Sequence, residues 1–432
     1  MSQRFITGLG FNRLAVSLAL AGCANFAQAA GFALVEQNAS GLGNAYAGQA
    51  ASAQDASTVF FNPAGMGLLP DSQLVVAGSL VQPSAKFQNS GSTAAPLQAL
   101  GDTGGDAGDL GFVPNLYYVY PVNKELSLGI GVNAPFGLKT EYDQTWMGRF
   151  QAVKSELKTI NVNPSLSYKL NDSVLLGIGL SAQYIDAELT NMVNYSALAK
   201  GALGANLQGL ADVKGNDYGW GYNLGALFDL GNTRIGITYR SEVDYTLEGN
   251  VSFANVPAPM AGNPLLQTGP VTADVTMPAS ASLSLFHKLN SSVDLLADIT
   301  WTGWSSFDVL TVRRTSGTVV SSTTENWQDS WRYSLGVTWH QDAAWTWRAG
   351  LAYDETPVED AYRTPRIPDN SRTWVALGGQ YRLSEKSALD FGYAYLFVKD
   401  ASINSAAAGV GALHGSYDNS VNILSAQYTY TF

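Results

Sequence analysis

The sequence is short of the residues that most chemistry needs. It holds one cysteine, Cys23, and three histidines, His287, His340 and His414. A single cysteine supports no disulfide framework. His287 and His340 sit beside short turns and His414 lies in a Gly/Ala-rich stretch, so no Ser–His arrangement for an outer-membrane lipase stands out. No cluster of His, Cys and carboxylates has metal-ligand spacing, and no metal or other cofactor is expected. Basic residues are scarce too: 24 Lys and Arg stand against 35 Asp and Glu, a net charge of −11. That argues against nucleic acid as a partner. After residue 29, no apolar run reaches the length of a spanning helix.

What is present begins with an export signal over residues 1–29. Arg4 and Arg13 form a basic start, Leu14 to Gly22 an apolar stretch, and Ala27-Gln28-Ala29 a cleavage site. The mature chain is then expected to start at Ala30. The rival reading takes Leu20 to Cys23 as a lipoprotein box with Cys23 acylated. An exported acidic chain of this kind is either a soluble periplasmic or secreted protein, or a barrel in the outer membrane of a Gram-negative bacterium.

The strand patterns favour the all-β barrel. At the C-terminus Leu424, Ala426, Tyr428, Tyr430 and Phe432 alternate with Ser425, Gln427, Thr429 and Thr431. Leu389 to Phe397 and Leu176 to Tyr184 alternate in the same way. An apolar face that ends in aromatics suits lipid and its interfacial girdle, with outer-membrane lipid or lipopolysaccharide around it. The terminal Phe432, with aromatics two and four residues earlier, resembles the signal read by the barrel assembly machinery. Six short Asn/Asp/Ser-rich turns lie near residues 123, 171, 231, 290, 342 and 385. They join twelve strands, with much longer connections between. One further strand near 74–81 and one over 421–432 predict a transmembrane antiparallel barrel of about fourteen strands over residues 71–432.

Residues 30–70 cannot form a core of their own, being rich in Gly, Ala and Ser. Small residues let a backbone pack against the inner wall of a barrel, so the segment is expected to be a plug, or hatch. Asn62-Pro63-Ala64 is expected to fix its exit, because Asn bonds its own backbone and Pro pre-sets φ.

Gly31 to Met66 resembles the hatch of the FadL family of outer-membrane transporters, which carry long-chain fatty acids and other hydrophobic molecules. The likeness rests on Ser40-Gly41-Leu42-Gly43, Ala45-Tyr46, Gly48 and Asn62-Pro63-Ala64. It continues through Asn133 to Asp172, Thr238 to Val243, Trp301 to Leu310 and Arg366 to Trp374. The resemblance implies a monomeric barrel with no cofactor. Its ligand would be captured by the loops, held in an internal pocket and released sideways through the wall. It puts Phe32 beside the pocket and the lateral opening at Pro135 and Gly137, where a residue without a donor and one without a side chain interrupt a strand. Trp146, Met147 and Phe150 are candidate lining. Leu203, Leu207 and Leu210 are spaced for one helical face and are candidates as well. The family's basic residues near a bound carboxylate fall at Asn191 and Thr323 here. Arg149, Lys154 or Lys158 could replace them, or the ligand is an aromatic or neutral hydrocarbon. A general porin is the remaining alternative; it would conduct ions steadily.

Overall fold

The computed structural model describes residues 30–407 and 409–432, so the export signal and Cys23 lie outside the described residues. The strands form one closed antiparallel barrel of 14 staves. Six staves are interrupted; among them are Leu126–Asn133 with Gly137–Glu141, and Thr233–Arg240 with Val243–Phe253. The first strand, Gln73–Asn89, pairs with Gly111–Pro121 on one side and with Gly411–Thr431 on the other, which closes the ring. These terminal strands are longer than the sequence pattern indicates. Their alternation continues past the apolar band into a polar rim, where hydropathy no longer marks it.

Each of the six short turns is built around a polar side chain that accepts from the backbone just ahead. Asn123 Oδ1 accepts from the amides of Glu125 and Leu126, both at 2.8 Å. Asn171, Asp229, Asn290 and Asp342 do the same one turn after another. Ser384 Oγ takes that part in the sixth, accepting from Lys386. Such turns fix the register of each hairpin locally. Leu424, Leu377 and Leu335 face outward from the wall, more than half exposed, whereas Ser425, Gln427 and Thr338 point inward and are buried. A polar interior under an apolar exterior is the inverse of a soluble core, and it gives a luminal segment partners to bond.

Residues 30–70 occupy that interior as short helices, Ala39–Leu42, Gln49–Ser52 and Thr58–Phe61, followed by the 3₁₀ turn Pro63–Leu68. The wall makes room for them with glycine. A Cβ on Gly177 would stand 2.2 Å from the Ala64 nitrogen, and one on Gly350 would stand 2.1 Å from the Asn44 carbonyl carbon. Gly236 meets Ala50 and Gly378 meets Gly43 in the same way. The glycines of these strands form a track for backbone-to-backbone contact. Asn62 Nδ2 donates to Ala50 O (2.7 Å) and to Ala226 O in the wall (3.1 Å), while its Oδ1 accepts from the Ala64 amide at 3.0 Å. Asp55 accepts from Ser40, Ser57 and Gln427, which ties the hatch to the last strand.

Candidate functional site

Phe32 is 1% exposed and sits in a box of aromatic rings. Its ring centroid lies 4.6 Å from Trp304, 5.6 Å from Phe307 and Trp327, and 6.2 Å from Phe136, mostly edge to face. The approach is tight because Gly31 takes φ +64°, and a Cβ there would meet Trp304 at 2.7 Å. Above Phe32 is a largely apolar cavity lined by Leu138, Leu157, Leu247, Val275, Leu310 and Ile367, among others. On the other side of the N-terminal segment is a second, more polar cavity of about 160 Å³. Ala33, Leu34, Pro135 and Phe136 line it together with Arg240, Asp298 and Arg332. Phe32 thus lines the first chamber and the residues that follow it, Ala33 and Leu34, line the second.

The apolar cavity carries charges at its edge. Arg366 donates to Ser155 Oγ at 3.1 Å, to Lys154 O at 3.2 Å and to Asn191 Oδ1 at 3.4 Å. A cation thus reaches the neighbourhood of Asn191 from a different loop. Burial pulls this guanidinium down to about 10, against the nearby Glu325. Burial pushes the Glu325 carboxyl up to about 7, against Arg366. Both residues lie in loops outside the strands. Lys154 pairs with Glu156 (2.8 Å) and Glu188 (2.7 Å), and Lys158 with Glu156 (2.6 Å). Lys214 pairs with Glu188 (3.0 Å) and Asp212 (3.2 Å).

The wall is interrupted beside the second chamber. Gly111–Pro121 pairs with its next neighbour only from Leu116 to Pro121. Beyond that, Gly111 to Asn115 keep just the first strand, and Gly137–Glu141 keep only the stave at Lys154–Lys158. Pro135 falls in the break, and Pro114 stands on the facing strand; neither can donate. The freed groups bond elsewhere. The Leu34 amide donates to Pro135 O and the Gly137 amide to Phe32 O, at 2.8 and 2.9 Å. The Phe136 amide donates to Thr159 Oγ1 at 2.9 Å, and that hydroxyl donates back to Phe136 O at 2.7 Å. Asn115 Nδ2 reaches Glu36 O at 2.9 Å. Phe32 is thus joined through its own carbonyl to the kinked strand.

The other sequence candidates lie elsewhere. Trp146 stacks on Tyr142, centroids 4.0 Å apart, and packs with Met147 and with Phe87 and Tyr417 of the first and last strands. Phe150 is buried among Ala95, Val153 and Met192. The expected helical face at Leu203, Leu207 and Leu210 is absent. A helix covers only Tyr195–Leu198, Leu203 lies in a turn, and Leu210 is already in the strand Gln208–Asp229. The backbone turns left-handed at Lys200, Gly201, Gly204 and Asn206, which stops a helix. Arg149 donates to the carbonyls of Ala99, Leu100 and Trp146. Thr323 is half-buried in a hairpin. Sequence reading missed Arg366, Glu325, Trp304, Phe307, Trp327 and Pro114. The available signals were the two matching segments that contain them, Trp301 to Leu310 for Trp304 and Phe307, and Arg366 to Trp374 for Arg366.

A family model described as outer membrane protein transport protein (OMPP1/FadL/TodX) matches residues 20–432. A long-chain fatty acid transport protein of Escherichia coli K12 is 30% identical, over 94% of this chain and 95% of that protein. The crystal structure of a Pseudomonas aeruginosa FadL homologue has a TM-score of 0.87 at 27% identity, covering 93% of this chain and all (100%) of that one. The Ralstonia pickettii toluene transporter TbuX shares the fold at a TM-score of 0.67 and 19% identity, over 91% and 98% of the two chains. Barrel, hatch and sequence agree: this chain is an outer-membrane protein and belongs to the OMPP1/FadL/TodX family.

Proposed function

We propose that this protein carries long-chain hydrophobic molecules, fatty acids among them, inward across the outer membrane without an energy source of its own. The ligand enters from the loops, rests in the apolar cavity above Phe32, passes the N-terminal segment into the second chamber and leaves through the break at Pro135–Gly137. One observation carries this reading. Phe32 lines the apolar cavity, its neighbours Ala33 and Leu34 line the second, and its backbone carbonyl accepts from Gly137 at the break. A ligand that displaces Phe32 must also disturb the kinked strand.

Burial of acyl chain supplies the drive, about 0.8 kcal/mol per CH₂. A chain of about sixteen carbons has roughly 12 kcal/mol of gross drive on that scale, so apolar lining dominates capture. The hatch over residues 30–70 acts as the gate and Asn62-Pro63-Ala64 as its anchor. The protein works as a monomer, in contact with lipopolysaccharide, and offers Phe432 to the assembly machinery. Its activity is transport rather than catalysis. The test is uptake of a labelled long-chain fatty acid by cells that have this protein as their sole route. Uptake above that of cells without it supports the reading. Steady ion conductance without such uptake favours a porin instead.

A further inference from the structure

The cavity above Phe32 is apolar along its length, so its few charges decide which head group it accepts. Four charged side chains line it among the described residues: Glu156, Lys214, Glu325 and Arg366. They sum to zero. Lys214 is already paired with Glu188 and Asp212, and Glu156 with Lys154 and Lys158. That leaves Arg366 and Glu325. Glu325 is 4% exposed, and no salt bridge within 4 Å is formed between it and Arg366, yet each is under the other's field. The guanidinium is held by Ser155, Asn191 and the Lys154 carbonyl, which fixes it where it is.

We infer that this cavity accepts its long-chain ligand with an uncharged head group, and that Glu325 is the residue that sets this preference by cancelling Arg366. The inference rests on the transport reading above and narrows its ligand class. An ionised carboxylate entering the cavity would add one negative charge to a neutral, poorly solvated site. Taking an ion from water into such a site is costly unless a counter-charge is free to meet it. Here the counter-charge is already answered by Glu325. A long-chain alcohol, an alkane or a protonated acid carries no such cost and gains the same burial. The raised proton affinity of Glu325 fits a carboxyl that is buried and only partly compensated. Replacing Glu325 with its amide keeps the shape and removes the cancelling charge.

The experiment compares dodecan-1-ol with dodecanoate, which share a chain and differ in head-group charge. Binding is read by quenching of tryptophan fluorescence on the full protein in amphipol, at about pH 8.5 so that the acid is ionised. Wild type is expected to bind the alcohol at least about tenfold tighter than the carboxylate. Glu325→Gln is expected to raise carboxylate affinity by about tenfold and to leave the alcohol within about twofold. Arg366→Gln, the opposite member of the pair, is expected to weaken the carboxylate more than the alcohol, so that the alcohol-to-carboxylate ratio rises further. Either variant serves if the other does not fold, with heat-resistant migration on a gel as the check. A wild-type preference for the carboxylate overturns the inference, as does an alcohol-to-carboxylate ratio unmoved by the variants; the transport reading survives both. Failure of wild type to bind either ligand overturns the pocket assignment and this inference together.

Discussion

Two seams lie two strands apart in the same wall and behave in opposite ways. Where the first strand meets the last, pairing runs without a break from Gln73↔Thr431 to Asn89↔Gly415. Where the second meets the third, it stops at Leu116↔Val132. The groups available are the same peptide donors and acceptors. The difference is what interrupts them. The closing seam has Pro83 far along its length and keeps its ladder, because its neighbours on both sides stay in register. The open seam has Pro114 and Pro135 near one another, and the hatch supplies replacement bonds from Leu34 and Phe32. A barrel can thus tolerate a hole where a luminal segment satisfies the freed backbone, since an unpaired group at membrane depth costs several kcal/mol. The hole and the segment that covers it are one device.

The largest effect should come from breaking the continuous seam. Ser79 pairs with Ser425, their hydroxyls 2.6 Å apart, and is fully buried. Ser79→Pro removes a ladder donor in mid-strand, with paired strands on both sides, and should abolish the heat-resistant barrel in outer-membrane extracts. A normal heat-resistant band would show that the seam is not what closes the wall. Next is Phe32→Ala on the open side. The aromatic box loses its centre, a change of about 3–5 kcal/mol at a well-packed site. Ligand affinity should fall by about tenfold or more, with barrel assembly unaltered; equal affinity in wild type and variant would remove Phe32 from the pocket. Smaller again is Asn62→Ala, which leaves the Ala50 and Ala226 carbonyls and the Ala64 amide short of a partner, about 1–3 kcal/mol each at most. Uptake per folded barrel should drop several-fold. Uptake that matches wild type would make the motif a folding device only.

The barrel was legible in the sequence because its signals are local. Alternation along Leu424 to Phe432 and Asx turns such as Asn123 and Asn290 carry their meaning within a few residues. Asn62 was readable for the same reason, since its Oδ1 bonds the amide two residues on. The site was much less legible. Phe32 meets Trp304 and Trp327 across nearly three hundred residues of chain, and no spacing rule joins them. Arg366 reaches Asn191 from another loop, so a cation stands in space beside a position that is neutral in the sequence. Trp146 and Phe150 were conspicuous as large apolar loop residues, yet they pack their loop onto the ends of neighbouring strands. The leucines at 203, 207 and 210 had helical spacing, but left-handed backbone at Gly201 and Gly204 overrides it.

The central claim is that the break between Gly111–Asn115 and the kinked strand is the way out. Val113 and Pro135 would be opposite if the ladder continued past Leu116↔Val132. The only native cysteine is Cys23, within the expected export signal. Val113→Cys with Pro135→Cys can therefore be bridged selectively by a reducible bifunctional thiol reagent. The measurement is uptake of a labelled long-chain substrate by cells before bridging, after bridging and after reduction, beside ligand binding by the purified protein in each state. The account predicts that bridging stops uptake, that reduction restores it, and that binding stays the same throughout. Uptake by the bridged protein at the unbridged rate would contradict it, and the ligand would then have to leave by another path.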